Sequence, residues 1–171
     1  MASKFAFLEE DIADGFGTPH ILPVESKEMR IAQTRLSITT APREIREITV
    51  EVAHWAERQG IATGLLSLYI PHTSASLSIQ ENASPDVRRD LDAFLRRIVP
   101  EDVTLYRHND EGPDDMPAHI KSALTQTQLT IPITDGRVQL GTWQGIFLLE
   151  HRASPHDRAL VLTLIGEEAH A

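Results

Sequence analysis

The sequence predicts an α+β fold in which an antiparallel or mixed sheet packs against two main helices. Segments with the strand pattern outnumber helical segments, and the two kinds do not alternate along the chain as they would in a parallel, doubly wound sheet. The Asp135-Gly136 pair lies between alternating apolar residues, which is a strong signal for a β-hairpin. The length of 171 residues fits a single domain, which we assign to residues 31–171.

The first 30 residues predict an arm or appendage to that domain. They combine acidic and basic residues with glycines and prolines that interrupt any sustained period. Apolar side chains, among them Phe5, Phe7 and Phe16, could still anchor this arm to the body of the domain.

Start and stop signals place three helices between the strands. Apolar residues at helical spacing over 45–55 predict a first helix, which Gly60 ends. Ser84 as N-cap and Pro85 in the first turn begin a second helix, and Pro117 begins a short third one. The predicted strands cover residues 36–39, 65–70, 75–79, 129–133, 138–142, 145–149 and 159–165.

Composition excludes several classes of function. The chain has 25 acidic and 16 basic residues, and its formal charge of −9 opposes binding to the phosphate backbone of nucleic acids. The absence of cysteine excludes disulfides and thiolate metal sites, so histidines and carboxylates are the strong metal ligands available. No apolar segment approaches the roughly 18 residues that span a bilayer. We therefore expect a soluble cytoplasmic protein that binds neither nucleic acid nor membrane.

Three histidines on separate elements are candidate metal ligands. His72 follows a strand-breaking proline, His108 lies in an acidic loop, and His119 lies at the start of the third helix. Three protein ligands and an open position are typical of a catalytic zinc site. The alternative is that these are surface histidines, because their spacing matches no established zinc motif.

The acidic loop itself offers a second kind of cation site. Asp110, Glu111, Asp114 and Asp115 supply four carboxylates, which with water could hold Mg²⁺. The alternative is a solvated loop whose aspartates cap the third helix.

Two further segments carry polar groups at strand ends. Ser74 and Ser76 alternate with apolar residues and could bind phosphate, although they also fit the polar face of a strand. Trp143, between two glycines, lines a pocket in one interpretation and anchors the core in the other. The ionisable residues 150–152 are interpreted as a solvated strand end.

Taken together, several uncommon motifs identify a resemblance to a known family. They are His72-Thr73-Ser74-Ala75-Ser76-Leu77, Glu81-Asn82, Asp86-Val87-Arg88, residues 111–121 (EGPDDMPAHIK), residues 141–146 (GTWQGI) and Glu150-His151-Arg152. Their order and spacing resemble those of the YjbQ family over residues 33–167. The turn that follows residue 152 departs from the family's glycine-rich, arginine-paired pattern and leaves Arg158 alone.

This resemblance implies a small α+β fold that assembles as a homotrimer, with sites near the subunit boundaries. It also implies a secondary thiamine-phosphate synthase activity, in which a thiazole phosphate displaces pyrophosphate from an aminopyrimidine-methyl carbon. The implied metal ligands for a divalent ion, Zn²⁺ or Mg²⁺, are His72, His108 and His119. The resemblance places catalytic or orienting roles on Glu81, Asn82, Asp115, Trp143, Gln144 and Glu150. Phosphate contacts are expected from Ser74, Ser76, Lys121 and Arg152.

Three functions remain open at this level. The first is the synthase activity on small phosphorylated precursors. The second is a metal-dependent hydrolase of small phosphate esters, in which a carboxylate acts as base. The third is a protein that binds a metal or metabolite without catalysis.

Overall fold

The computed structural model describes residues 28–168 and contains two antiparallel sheets and three α-helices. The arm predicted over residues 1–30 therefore lies almost entirely outside the described residues. The strands are β1 (Met29–Thr40), β2 (Ile45–Glu47), β3 (Ile61–Tyr69), β4 (Ala75–Glu81), β5 (Gln128–Thr134), β6 (Arg137–Val138), β7 (Gln144–Glu150) and β8 (His156–Glu168). The helices are α1 (Thr49–Glu57), α2 (Pro85–Ile98) and α3 (Asp115–Leu124), with a short 3₁₀ turn at Val103–Leu105.

The predicted α+β class is confirmed, but the strands form two sheets. The larger sheet has the order β1-β8-β3-β5-β6 and the smaller has the order β2-β7-β4. All described strand pairs are antiparallel. The inner faces of both sheets and one face of α1 share a single apolar core, which includes Leu66, Leu77, Ile146 and Leu160.

Two expectations about local structure are wrong. Ile45 belongs to β2, where it pairs with Leu149, so the first helix begins only at Thr49. The strand predicted over 138–142 ends at Val138, because the chain turns at Gly141, whose carbonyl accepts a hydrogen bond from the N–H of Gln144.

Other local signals act as predicted. Ser84 Oγ accepts a hydrogen bond from the N–H of Asp86 at the start of α2. Gly60 and Gly136 both have positive φ angles, which glycine adopts without strain. Among the described residues, no helix is both long and apolar enough to cross a membrane.

The architecture brings four chain segments to one end of the molecule. In the small sheet, the start of β4 at Ala75 lies beside the end of β7 at Glu150. In the large sheet, the end of β1 at Thr40 lies beside the start of β8 at His156. The candidate site forms at this end, where α3 packs against β4.

Candidate metal centre

Asp115, the first residue of α3, lies at the centre of a buried polar group. Its side chain is 2% exposed, although burial of a charged group is costly without partners. Oδ1 accepts a hydrogen bond from the guanidinium of Arg152. Oδ2 has no hydrogen-bond partner among the described residues. One oxygen of this carboxylate is therefore left for another ligand.

Two histidines face that oxygen. His119 lies one turn further along α3, and its Nε2 is 3.5 Å from Asp115 Oδ2. His108 comes from the preceding loop, and its Nε2 is 2.8 Å from the same oxygen. This shorter approach is not directed as a hydrogen bond, since Oδ2 is left without one. All three donor atoms lie within 4.8 Å of one another.

A backbone contact fixes the tautomer of His119. Its Nδ1 lies 3.1 Å from the carbonyl oxygen of Thr73. Because a carbonyl only accepts, Nδ1 of the neutral imidazole carries the proton, and its Nε2 presents a lone pair toward the carboxylate of Asp115. Metal-binding histidines commonly donate their other N–H to such a carbonyl. Two imidazoles and one carboxylate oxygen suit a borderline divalent ion such as Zn²⁺.

The structure does not bring His72 to this group, contrary to the three-histidine expectation. The backbone N–H of Ala159 donates to His72 Nε2 at 2.8 Å, so that lone pair is occupied. Burial and the charge of Arg158 lower the pKa of His72. Asp115, for which an orienting role was expected, supplies the third donor atom of the group in place of His72. The metal role of His108 and His119 stays a prediction.

The rest of the acidic loop does not join the histidines. Asp114 is the N-cap residue of α3, but its side chain makes no capping hydrogen bond. Its Oδ2 accepts instead from Arg152 Nε at 2.9 Å and from the N–H of Ala153 at 2.8 Å. Asp110 and Glu111 are exposed. A four-carboxylate magnesium site is therefore not assembled here.

Glu150, the other expected carboxylate, forms a buried ion pair at the end of β7. Arg158 Nε and Nη2 donate to its two oxygens at 2.6 and 2.5 Å. The hydroxyl of Thr40 and the N–H of Arg152 also donate to it. Burial alone would raise the pKa of Glu150, but these donors hold it below its ordinary value. Glu150 is thus an ionised residue, and both of its carboxylate oxygens already accept hydrogen bonds from protein donors.

Three of the residues expected to bind phosphate have other partners in this chain, and the fourth, Lys121, is buried. These residues are Ser74, Ser76, Lys121 and Arg152. Ser74 Oγ accepts from Arg158 Nη2 at 3.1 Å, and Ser76 Oγ lies 2.8 Å from His151 Nε2. Lys121 is buried, which lowers its pKa. The geometry of this chain therefore gives no support to a phosphate site built from them.

Four other expected site residues lie at the opposite end of the small sheet. They are Glu81, Asn82, Trp143 and Gln144. Glu81 pairs with Gln144, whereas Ala75 pairs with Glu150 at the end near α3. Six residue steps along a strand separate these ends by about 20 Å. Trp143 is 64% exposed, so the core-anchor interpretation of this residue is wrong, whereas its site role stays a prediction.

His151 and Arg158 were not among the predicted site residues, although both are buried. The end of β7 is not a solvated strand end, since Glu150 and His151 are only 3% and 4% exposed. Burial and the positive charge of Lys121 lower the pKa of His151 to about 4. The available signal for a buried polar cluster was the run Glu150-His151-Arg152, in which three ionisable residues directly follow an apolar segment.

We expect the free energy of unfolding to fall as the pH decreases from about 6.5 to about 4, with His151 responsible for part of the slope. In this window the unfolded chain binds a proton on His151 that the folded chain does not bind, so acid favours unfolding. One such group contributes at most about 1.4 kcal/mol per pH unit. Urea unfolding at several pH values measures the slope. His151→Gln keeps a polar partner for Ser76 but does not titrate, and an unchanged slope in this variant would contradict the assignment.

The fold and the polar group define a small two-sheet α+β protein with a two-histidine, one-carboxylate centre. The family model described as UPF0047 protein YjbQ-like matches residues 34–167. The chain belongs to this family.

Relatives and solved structures agree with this membership. A UPF0047 protein of Synechocystis is 50% identical over 135 residues, which cover 79% of this chain and 92% of the relative. The YjbQ protein of Escherichia coli O157:H7 is 43% identical over 136 residues, which cover 79% and 98%. A YjbQ/UPF0047 crystal structure from Clostridium acetobutylicum is 34% identical, with a TM-score of 0.69 over 77% of this chain and 98% of that chain. A YbjQ-like structure from Sulfolobus solfataricus, at 23% identity and a TM-score of 0.76 over 82% and 100%, shares the fold.

Proposed function

We propose that this chain binds a divalent metal ion through His108, Asp115 and His119 and acts with it on a small phosphorylated substrate. The observation that carries the metal proposal is the buried Asp115 Oδ2, which has no hydrogen bond within residues 28–168 and faces two imidazole nitrogens. Nitrogen and oxygen lone pairs that converge in this way repel one another, and a divalent cation held between them would offset that repulsion. Zn²⁺ suits this donor set better than Mg²⁺, which prefers oxygen ligands.

The three residues have different parts in holding the ion and admitting substrate. Asp115 is buried and supplies the negative charge. His119 is oriented by its hydrogen bond to Thr73. The side chain of His108 is 49% exposed, so the substrate approaches from its side. A bound divalent ion supplies Lewis-acid chemistry, because it polarises phosphoryl oxygens and lowers the pKa of bound water.

The resemblance of the motifs to YjbQ proteins implies the first candidate reaction, a thiamine-phosphate synthase-like transfer. The nitrogen of a thiazole phosphate bonds to the methylene carbon of aminopyrimidine-methyl pyrophosphate as the carbon–oxygen bond to pyrophosphate breaks. Stabilising the departing pyrophosphate is the step that needs a cation. In the protomer, the metal centre is the candidate for this role, because the guanidinium of Arg152 is already bound by carboxylates.

A specific observation favours hydrolysis of small phosphate esters as a second candidate. Two imidazoles with one carboxylate form the protein ligand set of several zinc hydrolases. His108 lies on the exposed side of the group, where a water and an ester could both enter.

Metal analysis of the purified protein, followed by assays with and without a chelator, tests the proposal. We expect about one divalent ion per chain and turnover that the chelator removes and added Zn²⁺ restores. Turnover of the two thiamine precursors supports the transfer, and phosphate release from small esters supports hydrolysis. Asp115→Asn is the matched variant, since it keeps the shape but weakens the metal donor. Protein that holds no metal, or turnover that survives chelation, would contradict the proposal.

We further propose that the protein assembles as a homotrimer. The outer face of the large sheet supports assembly, since Ile31, Ile165 and Leu65 lie side by side across β1, β8 and β3. These side chains are 67%, 41% and 54% exposed. Exposed apolar rows of this kind commonly mark interfaces. Light scattering should give three times the mass of one chain, and Leu65→Asp should reduce it; a monomeric wild-type chain would contradict the proposal.

A further inference from the structure

Arg152 makes an unusual number of contacts with the loop that precedes α3. Its Nε donates to Asp114 Oδ2 at 2.9 Å, and its Nη1 donates to Asp115 Oδ1. Its Nη2 donates to the carbonyl oxygen of Glu111 at 2.8 Å. Its Nη1 also lies 3.5 Å from a carboxylate oxygen of Glu111. Every nitrogen of the guanidinium is therefore bound by the segment 111–115, and the side chain is only 12% exposed.

The backbone of Arg152 is held as firmly as its side chain. Its N–H donates to Glu150 Oε1 at 2.9 Å, and its carbonyl accepts from the N–H of Arg43 at 2.9 Å. Glu150 is in turn fixed by its buried ion pair with Arg158. The guanidinium thus projects from a backbone that is held on both sides toward the segment 111–115.

This geometry has two consequences for the candidate metal centre. First, Oδ1 of Asp115 is occupied by the guanidinium, so only Oδ2 is free to face the histidines. The carboxylate is thereby limited to one donor oxygen. Second, the contacts with Glu111 and Asp114 tie down the loop that carries His108.

We infer that Arg152 is a positioning residue of the metal centre and not a phosphate-binding residue. This inference rests on the proposed function, since it concerns the same three ligands. Arg152 sets the direction of Asp115 Oδ2 and the approach of His108, and thereby assembles a nitrogen–nitrogen–oxygen donor set. A lysine cannot replace it, because an ammonium group is a point charge and lacks the planar fork that binds several acceptors at once.

Metal titration of the full-length protein tests this role. Arg152→Lys and Arg152→Met are expected to weaken Zn²⁺ affinity about 10- to 100-fold, the usual effect of removing a residue that orients a metal ligand. The visible absorption of bound Co²⁺ is expected to change in both variants, because its intensity reports the geometry of the donors. Arg30→Lys is the control, since Arg30 forms an exposed ion pair with Glu168 far from the loop, and it should bind like the wild type.

A second variant separates positioning from loss of folding. Asp114→Asn leaves Arg152 and the three ligands in place but removes one charged partner of the guanidinium, and it should weaken Zn²⁺ binding several-fold. Arg152 variants that bind Zn²⁺ with wild-type affinity and an unchanged Co²⁺ spectrum would overturn the inference while the proposed function stands. A wild-type chain that binds no metal would overturn both. If the Arg152 variants bound phosphate more weakly but bound Zn²⁺ with unchanged affinity, Arg152 would be a phosphate-binding residue and the inference would be wrong.

Discussion

Replacement of His119 with alanine is expected to weaken Zn²⁺ binding by more than about 100-fold while the chain stays folded. The substitution removes one of three donors, and even residues that only orient a ligand contribute about 10- to 100-fold. The side chain of His119 is 32% exposed, and its Nδ1 bonds to the carbonyl of Thr73. We therefore expect the free energy of unfolding to fall by about 1 kcal/mol or less.

Competition with a chromophoric chelator measures the affinity, and urea unfolding measures the stability. His54→Ala is the matched control, because His54 is an exposed histidine on α1. This control should bind Zn²⁺ like the wild type. Stoichiometric, tightly bound metal in His119→Ala would show that His119 is not a ligand.

Arg158→Met is expected to lower the free energy of unfolding by about 3–5 kcal/mol, which is the typical cost of breaking a buried ion pair by removing one partner. The variant leaves the carboxylate of Glu150 buried without the guanidinium that binds both of its oxygens. The variant also removes the hydrogen bonds that Arg158 donates to the hydroxyl and the carbonyl of Ser74. The double variant Glu150→Gln/Arg158→Met should recover part of the loss, because it removes the buried charge.

Urea unfolding of Arg30→Met provides the comparison. Arg30 and Glu168 form an ion pair at 2.8 Å whose side chains are 49% and 57% exposed, so its loss should change stability by about 1 kcal/mol or less. Burial is thus the main difference between the two pairs. If Arg158→Met were no less stable than Arg30→Met, the conclusion that the Glu150–Arg158 pair stabilises the fold would be wrong.

Local signals predicted much of the fold. The alternation that begins at Ala75 defines β4, and the Ser84-Pro85 start defines α2, because both depend on neighbours in the chain. The Asp135-Gly136 turn likewise appears where it was predicted, with both residues at positive φ. The division into two sheets was not predictable, since strand pairing depends on contacts between distant segments.

The candidate site was predictable only in part, for the same reason. Asp115 and His119 are four residues apart and share a face of α3, so their proximity follows from helix geometry. His72 is kept from the group by a hydrogen bond from Ala159, which lies 87 residues away. The burial of His151 and Arg158 likewise arises from elements that meet only in the folded chain. Residue type alone could not distinguish these groups from solvated ones.

Anomalous X-ray diffraction from a Zn²⁺-soaked crystal, measured on both sides of the zinc edge, tests directly whether His108, Asp115 and His119 bind a metal ion. We expect one ion at about 2.0–2.2 Å from Nε2 of His108, Nε2 of His119 and Oδ2 of Asp115, with Arg152 still bound to Oδ1. An ion bound by His72 instead, or no anomalous peak between the two histidines, would contradict this expectation.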